Sequence, residues 1–408
     1  MGNETCIFIK MNDMSRYSWL ILFLFGSGMA RGQSAPGFYT SEAAAVAAGG
    51  QVYVSIKKYN PTDEELKKAK TQPSKEEMGY LQLPVFATNV SFFDKSFETG
   101  VYCFGTDGKL KWSKSVGYST KSVPPPLAER DGFIYTGAGL QQEDKVVITK
   151  LHPDGRIAWQ QQLDSLDEVD AVAVHQGKVN VLASFKHREK KFYKDNTFSY
   201  EVYPIYFFIQ LDPATGAVLG KEYQMMGNYL SSIGFGHPFI NTDQSYFLSK
   251  PDSAIFLTTA NQRSGVVVSE KMPAGNKIQV LTAGFASYHY ITGFSEGKER
   301  PVYKLFSNFY GEKKEYESVL PATWADDPMG RIYLLHHASD SVFSFFNIGM
   351  QLTVCATGKE GKTSIIKQDN NPGGLVVGAG LNGTQPFIIR LSGRTKGGEP
   401  GKLSLVFY

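Results

Sequence analysis

The sequence predicts an all-β chain folded as a single β-propeller, with seven four-stranded blades as the leading count and six or eight as the alternatives. Three observations predict it. A hairpin grammar recurs in VYCFGTDGKLKW (101–112), VVITKLHPDGRIAW (146–159) and IYFFIQLDPATGAVLG (205–220), where an apolar strand runs into an Asp/Pro/Thr-Gly turn and a second strand leaves it. Short strand anchors recur at a spacing of roughly fifty residues, as expected for propeller blades: GGQVYV (49–54), DGFIYT (131–136), QGKVNV (176–181), MGRIYL (329–334) and GGLVVG (373–378), with DQSYFL (243–248) and ASYHYI (286–291) as weaker members. The chain also lacks the alternation with long amphipathic helices that an α/β enzyme fold requires.

Composition agrees. The 408 residues are 42% hydrophobic and 13% aromatic, enough to bury a large core, and 41 glycines with 22 tyrosines and 28 phenylalanines suit short strands and tight turns. Lysine plus arginine exceed aspartate plus glutamate by only 42 to 39, which excludes the one-sided basic field of a nucleic-acid binder.

Taken in order, residues 1–32 read as a secretory signal: Arg16, the apolar run WLILFLF (19–25), then small residues up to Ala30-Arg31-Gly32. The run is far shorter than the roughly 20 apolar residues a membrane anchor needs, so the mature chain, 33–408, is expected to have no transmembrane span. Cleavage removes Cys6 and leaves Cys103 and Cys355. The blades then fall at about 40–118, 119–165, 166–227, 228–273, 274–320, 321–360 and 361–408. Cys103 sits in the first and Cys355 in the sixth, which do not touch in a seven-bladed ring, so no disulfide is expected.

The first blade carries Gly108 in its turn and Trp112 four residues on; the second repeats this with Gly155 and Trp159; the third has Gly216, with Gly220 in place of the tryptophan. The three turn glycines supply the positive φ of a tight hairpin, and the tryptophans stand where a large ring packs between blades. Two insertions interrupt the pattern. That at about 60–95 holds Thr62-x-x-Glu65, a capping box for a short charged helix. That at 186–203, KHREKKFYKDNTFSYEVY, interleaves Lys186, Arg188, Lys190, Lys191 and Lys194 with Phe192, Tyr193, Phe198, Tyr200 and Tyr203. Cations beside rings suit an anionic glycan, a phosphorylated headgroup or an acidic protein surface, and these residues are the candidate partner-binding site. The plain alternative is an extended hairpin with rings on one face and charges on the other.

Chemistry-bearing candidates are sparse. His336-His337 lie consecutively on a strand, so their positions face opposite ways, and no third ligand appears at metal spacing. Asp326-Asp327 and Asp369-Asn370-Asn371 precede turns, where such residues accept backbone hydrogen bonds; paired carboxylates also serve glycoside chemistry. Asn89-Val-Ser and Asn382-Gly-Thr fit the glycosylation pattern.

KLHPDGRIAW and QLDPATGAVLG resemble the repeat of the pyrroloquinoline-quinone-like propeller superfamily, which includes quinoprotein dehydrogenases and the non-catalytic propeller of the outer-membrane assembly machinery. The small residues and Gln33 after the leader resemble exported proteins of Bacteroidetes-type bacteria. A quinoprotein of that superfamily would need an adjacent cysteine pair and a Ca²⁺ site, and no adjacent cysteines exist here, so the resemblance implies the non-catalytic branch with no cofactor. The expectation is therefore a monomeric scaffold in the periplasm or at the outer membrane, or alternatively outside the cell, binding an envelope protein or a glycan. A polysaccharide-acting enzyme using rim carboxylates is the second reading, and a quinoprotein-like oxidoreductase the third.

Overall fold

The structure is a computed structural model that describes residues 38–59, 97–119, 126–140, 144–175, 177–192, 198–224, 239–240, 244–249, 255–261, 267–272, 279–284, 287–294, 302–309, 312–317, 331–337, 341–348, 351–358, 362–370, 375–391 and 403–408. The leader, the 60–95 insertion, Tyr193, Lys194, Asp326, Asp327 and Asn371 lie outside the described residues.

Every regular element among the described residues is a strand. They form successive antiparallel meanders. The first holds β1 (Phe38–Ala48), β2 (Gln51–Tyr59), β3 (Phe97–Gly105) and β4 (Leu110–Ser119), and the second β5 (Leu127–Arg130), β6 (Phe133–Gly139), β7 (Lys145–Leu151) and β8 (Ile157–Asp164). These two share one eight-stranded sheet, joined through the single pair Tyr118↔Gly139. The third holds β9 (Glu168–His175), β10 (Lys178–Phe192), β11 (Phe198–Leu211) and β12 (Val218–Gln224). Then come β13 (Phe239–Ile240), β14 (Gln244–Ser249), β15 (Ile255–Asn261) and β16 (Val267–Met272), followed by β17 (Gln279–Gly284), β18 (Ser287–Phe294), β19 (Val302–Phe309) and β20 (Glu312–Glu317). A sixth group is β21 (Arg331–His337), β22 (Ser341–Ile348), β23 (Gln351–Gly358) and β24 (Thr363–Asp369). The last is β25 (Leu375–Asn382), β26 (Gln385–Leu391) and β27 (Leu403–Phe407). Four strands were expected there; among the described residues the last sheet has three, because no described strand pairs beyond β27.

The first strands of successive groups meet: β1 with β5, β5 with β9, β9 with β13, β17 with β21 and β21 with β25. β25 then packs along β1, bringing the last group against the first.

This arrangement explains why the middle strands are apolar on both faces. In β2, Val52, Val54 and Ile56 pack with Val377, Phe387, Ile389, Leu403 and Leu405 of the last group, while the alternate residue Tyr53 packs with Ile134, Ala138 and Leu151 of the second. The second group repeats the division, since Tyr135, Val146 and Ile148 face Val179, Val181, Ile209 and Leu211 of the third. A strand sandwiched between two neighbours reads as an almost continuous apolar run rather than as an alternation. Each such fully buried Val, Ile or Phe contributes about 1.5–3 kcal/mol, so the core is the stack of interfaces between meanders. Cys103 and Cys355 are both free and buried, on β3 and β23.

Candidate functional site

The repeat glycines and tryptophans form the joints between meanders. Gly108, Gly155 and Gly216 have φ of +74°, +85° and +77°. A Cβ on Gly155 would lie 2.8 Å from the Trp112 ring, and one on Gly216 would lie 2.9 Å from the Trp159 ring. Each indole thus lies on the turn of the following meander, and each donates from Nε1 to a proline carbonyl there: Trp112 to Pro153 O at 2.9 Å, Trp159 to Pro213 O at 3.0 Å. Behind the indoles stand Tyr53 and Tyr135, each with ring centroids 6.0 Å from its tryptophan. The same turns are fixed locally by aspartates: Asp107 accepts from Lys109 N, Asp154 from Arg156 N and Nε, and Asp212 from Ala214 N and Thr215 N. Those backbone donors hold all three carboxyls below the usual carboxylate range. Gly108, on the closing joint, meets the Leu405 carbonyl at 3.4 Å from its Cβ position.

Lys150 adds a contact that the sequence did not signal. It donates to Pro213 O at 2.7 Å and lies 4.0 Å from the centre of the Phe133 ring. Burial depresses its ammonium pKa, partly offset by the charge of Asp212.

The 186–203 segment is a hairpin that outgrows its sheet. β9 pairs with β10 only over Lys178–Ser184, and β12 with β11 only over Tyr206–Leu211. Beyond that, Phe185 to Phe192 pairs only with Phe198 to Ile205. At about 3.3 Å per residue, this two-stranded ribbon extends roughly 23 Å.

Its register sorts the candidate residues. Cross-strand partners share a face and alternate positions swap faces. One face holds Lys186, Arg188, Lys190 and Phe192, opposite Pro204, Val202, Tyr200 and Phe198. The other holds His187, Glu189 and Lys191, opposite Tyr203, Glu201 and Ser199. Rings and charges are therefore not separated by register: the positions of three cations and of Phe192, Phe198 and Tyr200 fall on one face, and those of Glu189 and Glu201 on the other. At the outer end Phe192 is 68% exposed, with Lys190 Nζ 4.8 Å from its ring centre.

A buried polar row lies at the inner side of the same meander. Glu168 and Asp170, on β9, are 3% and 9% exposed. Glu168 is in register with Ser184, and Ser184 with Tyr206, both buried. Burial first, and the charge of Asp170 second, raise the Tyr206 hydroxyl well above its ordinary pKa. The sequence signal for these residues is the Glu-x-Asp spacing in DEVDAV, which sits inside an apolar run and not beside a turn.

The other candidates stay apart. Asp369 accepts from the Tyr408 hydroxyl at 3.5 Å, and Asn370 Oδ1 from Gln351 Nε2 at 3.3 Å. His336 and His337 lie in register with Val342 and Ser341 on β21. Among the described residues no three His, Cys, Asp or Glu are grouped to hold a metal ion, and no helix is long and apolar enough to cross a membrane.

No protein-family model matches the chain, and no curated protein does. Among solved structures it is similar to the acylaminoacyl peptidase of Pyrococcus horikoshii, with 9% identity and a TM-score of 0.50 over 91% of this chain and 51% of the peptidase. The chain thus spans about half the length of that enzyme. It is also similar to the β-propeller domain of the Trilobed protease from Pyrococcus furiosus (10% identity, TM-score 0.48, covering 90% of this chain and 95% of the domain). A third is a putative 6-phosphogluconolactonase from Bacteroides uniformis (11% identity, TM-score 0.38, covering 76% of this chain and 95% of that one). At such identities likeness concerns fold and carries no chemistry. With antiparallel meanders following one another until the last packs on the first, the chain has the β-propeller fold.

Proposed function

We propose that this β-propeller is an exported, non-catalytic scaffold of the cell envelope that binds a protein or a glycan, with the β10–β11 hairpin as its contact. The observation that carries the reading is the hairpin's register: Lys186, Arg188 and Lys190 fall on one face with Phe192, Phe198 and Tyr200, on a ribbon with which no other described strand pairs. The apolar leader at 19–25 supports export, and the likeness of the repeats to the non-catalytic branch of the pyrroloquinoline-quinone-like superfamily supports a role without chemistry. The frame suits recognition, because indoles locked onto neighbouring turns hold the meander that carries the hairpin.

The test is fractionation of cells that make either the full chain or a variant whose 186–203 segment is replaced by a short Gly-Ser turn. The intact protein is expected in the envelope fraction and the shortened one free in the exported soluble fraction. Equal retention of both would remove the hairpin from the proposal.

One observation favours the polysaccharide-acting enzyme as a second reading: two carboxyl side chains, Glu168 and Asp170, are buried two positions apart on an inner strand, and glycoside hydrolysis needs two carboxyls. Release of reducing sugar from envelope or plant polysaccharides, abolished by Asp170→Asn in a variant that melts like the parent, would establish it. No release from any of them leaves the scaffold reading in place.

A further inference from the structure

We infer that the cationic face of the β10–β11 hairpin binds a linear acidic polysaccharide; this rests on the proposal that the hairpin is the contact and names its ligand. Three features of the ribbon lead there.

The first is charge segregation. Lys186, Arg188 and Lys190 recur every second residue on one face, in a row roughly 13 Å long. Among the described residues of the ribbon that face has no acid, whereas Glu189 and Glu201 stand directly opposite each other on the reverse. A polyanion therefore has one face to choose, and the row follows the length of the ribbon rather than its tip. A bilayer met by a projecting ribbon would engage its end, so a lengthwise row of cations fits an extended chain.

The second is composition across the strands. Lys190 is in register with Tyr200, Arg188 with Val202 and Lys186 with Pro204, so an apolar or aromatic residue flanks each cation. An acidic sugar chain offers the matching pair of surfaces: C–H faces that stack on apolar planes, and carboxylate or sulfate groups at the ring edge for the cations. Inorganic phosphate, which has no apolar face, would use only the cations.

The third is the exposed end. Phe192 is 68% exposed, yet Lys190 Nζ lies 4.8 Å from its ring centre, so charge and stacking surface occupy one patch rather than two.

The experiment is calorimetric titration of the full chain with polygalacturonate oligomers of about ten residues, and with neutral dextran of matched length, at low and high salt. Polygalacturonate is expected to bind at low salt and weaken as salt rises, with dextran showing no heat. The triple variant Lys186→Gln, Arg188→Gln, Lys190→Gln should lose tenfold or more in affinity. Lys191→Gln, on the opposite face, should change it less than twofold. Both variants alter only ribbon positions, and unchanged melting confirms their folding. The inference is overturned if dextran binds equally, if the Lys191 variant weakens binding as much as the triple one, or if anionic phospholipid vesicles bind through this face while polygalacturonate does not. Absence of polygalacturonate binding in a protein whose envelope retention still depends on the hairpin would sink this inference alone. Retention that ignores the hairpin would sink the contact itself.

Discussion

The Pro213 carbonyl accepts from two side chains of the preceding meander, the Trp159 indole and the Lys150 ammonium, and this concentration of contacts makes the turn glycines exacting positions. Gly155→Ala meets two obstacles. Positive φ costs an L-residue about 1–2 kcal/mol, and the new Cβ would sit 2.8 Å from the Trp112 ring. Gly383→Ala meets only the first, since nothing lies within 4 Å of its Cβ position at φ +61°. In chemical denaturation Gly155→Ala should therefore lose more stability than Gly383→Ala, by about 1–3 kcal/mol from the forced shift of packed atoms. Titration gives a second prediction. Burial pushes the Cys103 thiol up to about 11 from 9.0, and the Tyr53 and Tyr135 hydroxyls to about 12 from 10.0. Folding holds these groups in their neutral forms, so their contribution is fully present below about pH 9 and is lost as pH rises from 9 to 12. Denaturation midpoints measured from pH 8 to 12 should fall across that window, with Cys103 resisting alkylation at pH 8 until the chain unfolds. The glycine and tryptophan spacing was legible in the sequence because turn chemistry is local. Pro213 and Lys150 were not, because their partnership spans two meanders.

At the level of elements, the hairpin separates what the sequence shows from what pairing adds. That 186–203 forms a hairpin can be read from its composition, and the shared parity of Lys186, Arg188, Lys190 and Phe192 from its numbering. Which residues stand opposite them is set by register, which places Glu201 against Glu189 and Tyr200 against Lys190. The plain alternative, rings on one face and charges on the other, does not match that register, which puts Phe192, Phe198 and Tyr200 at the same parity as the cations. The ribbon's outer part pairs with no described strand besides its own partner, so it adds little to the frame. Replacing 186–203 by a Gly-Ser turn should leave the thermal midpoint within a few degrees of the parent, corresponding to about 1 kcal/mol or less. A collapse of the midpoint would show that the ribbon supports the sheet. Buried Glu168 and Asp170 are not legible in the sequence for the opposite reason: β9 reads as core, and only its inner place in the fold gives its acids meaning.

For the whole molecule, the fold class was legible because a period of roughly fifty residues survives even where motifs fade. How the chain closes was not, since it depends on strands at its two ends. The structure places β25 on β1, and Val52, Val54 and Ile56 share a core with Phe387, Leu403 and Leu405. At Gly378 the two strands come close, since a Cβ there would lie 2.6 Å from the Ala43 carbonyl. Gly378→Val should pry this seam apart and cost about 1–3 kcal/mol, read as an earlier midpoint in urea. An unchanged midpoint would mean that the seam does not bear on stability.

The seam also sets an order of events. Its two sides lie about 330 residues apart in the chain, so their contact carries the largest loop-closure entropy in the fold. Each meander can form as soon as its own strands exist, but β1 must wait for β25. During refolding, the indole environments at the first two joints should settle early, and the amides of β1 should gain protection from exchange only in a later, slower phase. Until then the chain is an open arc with an apolar flank at each end.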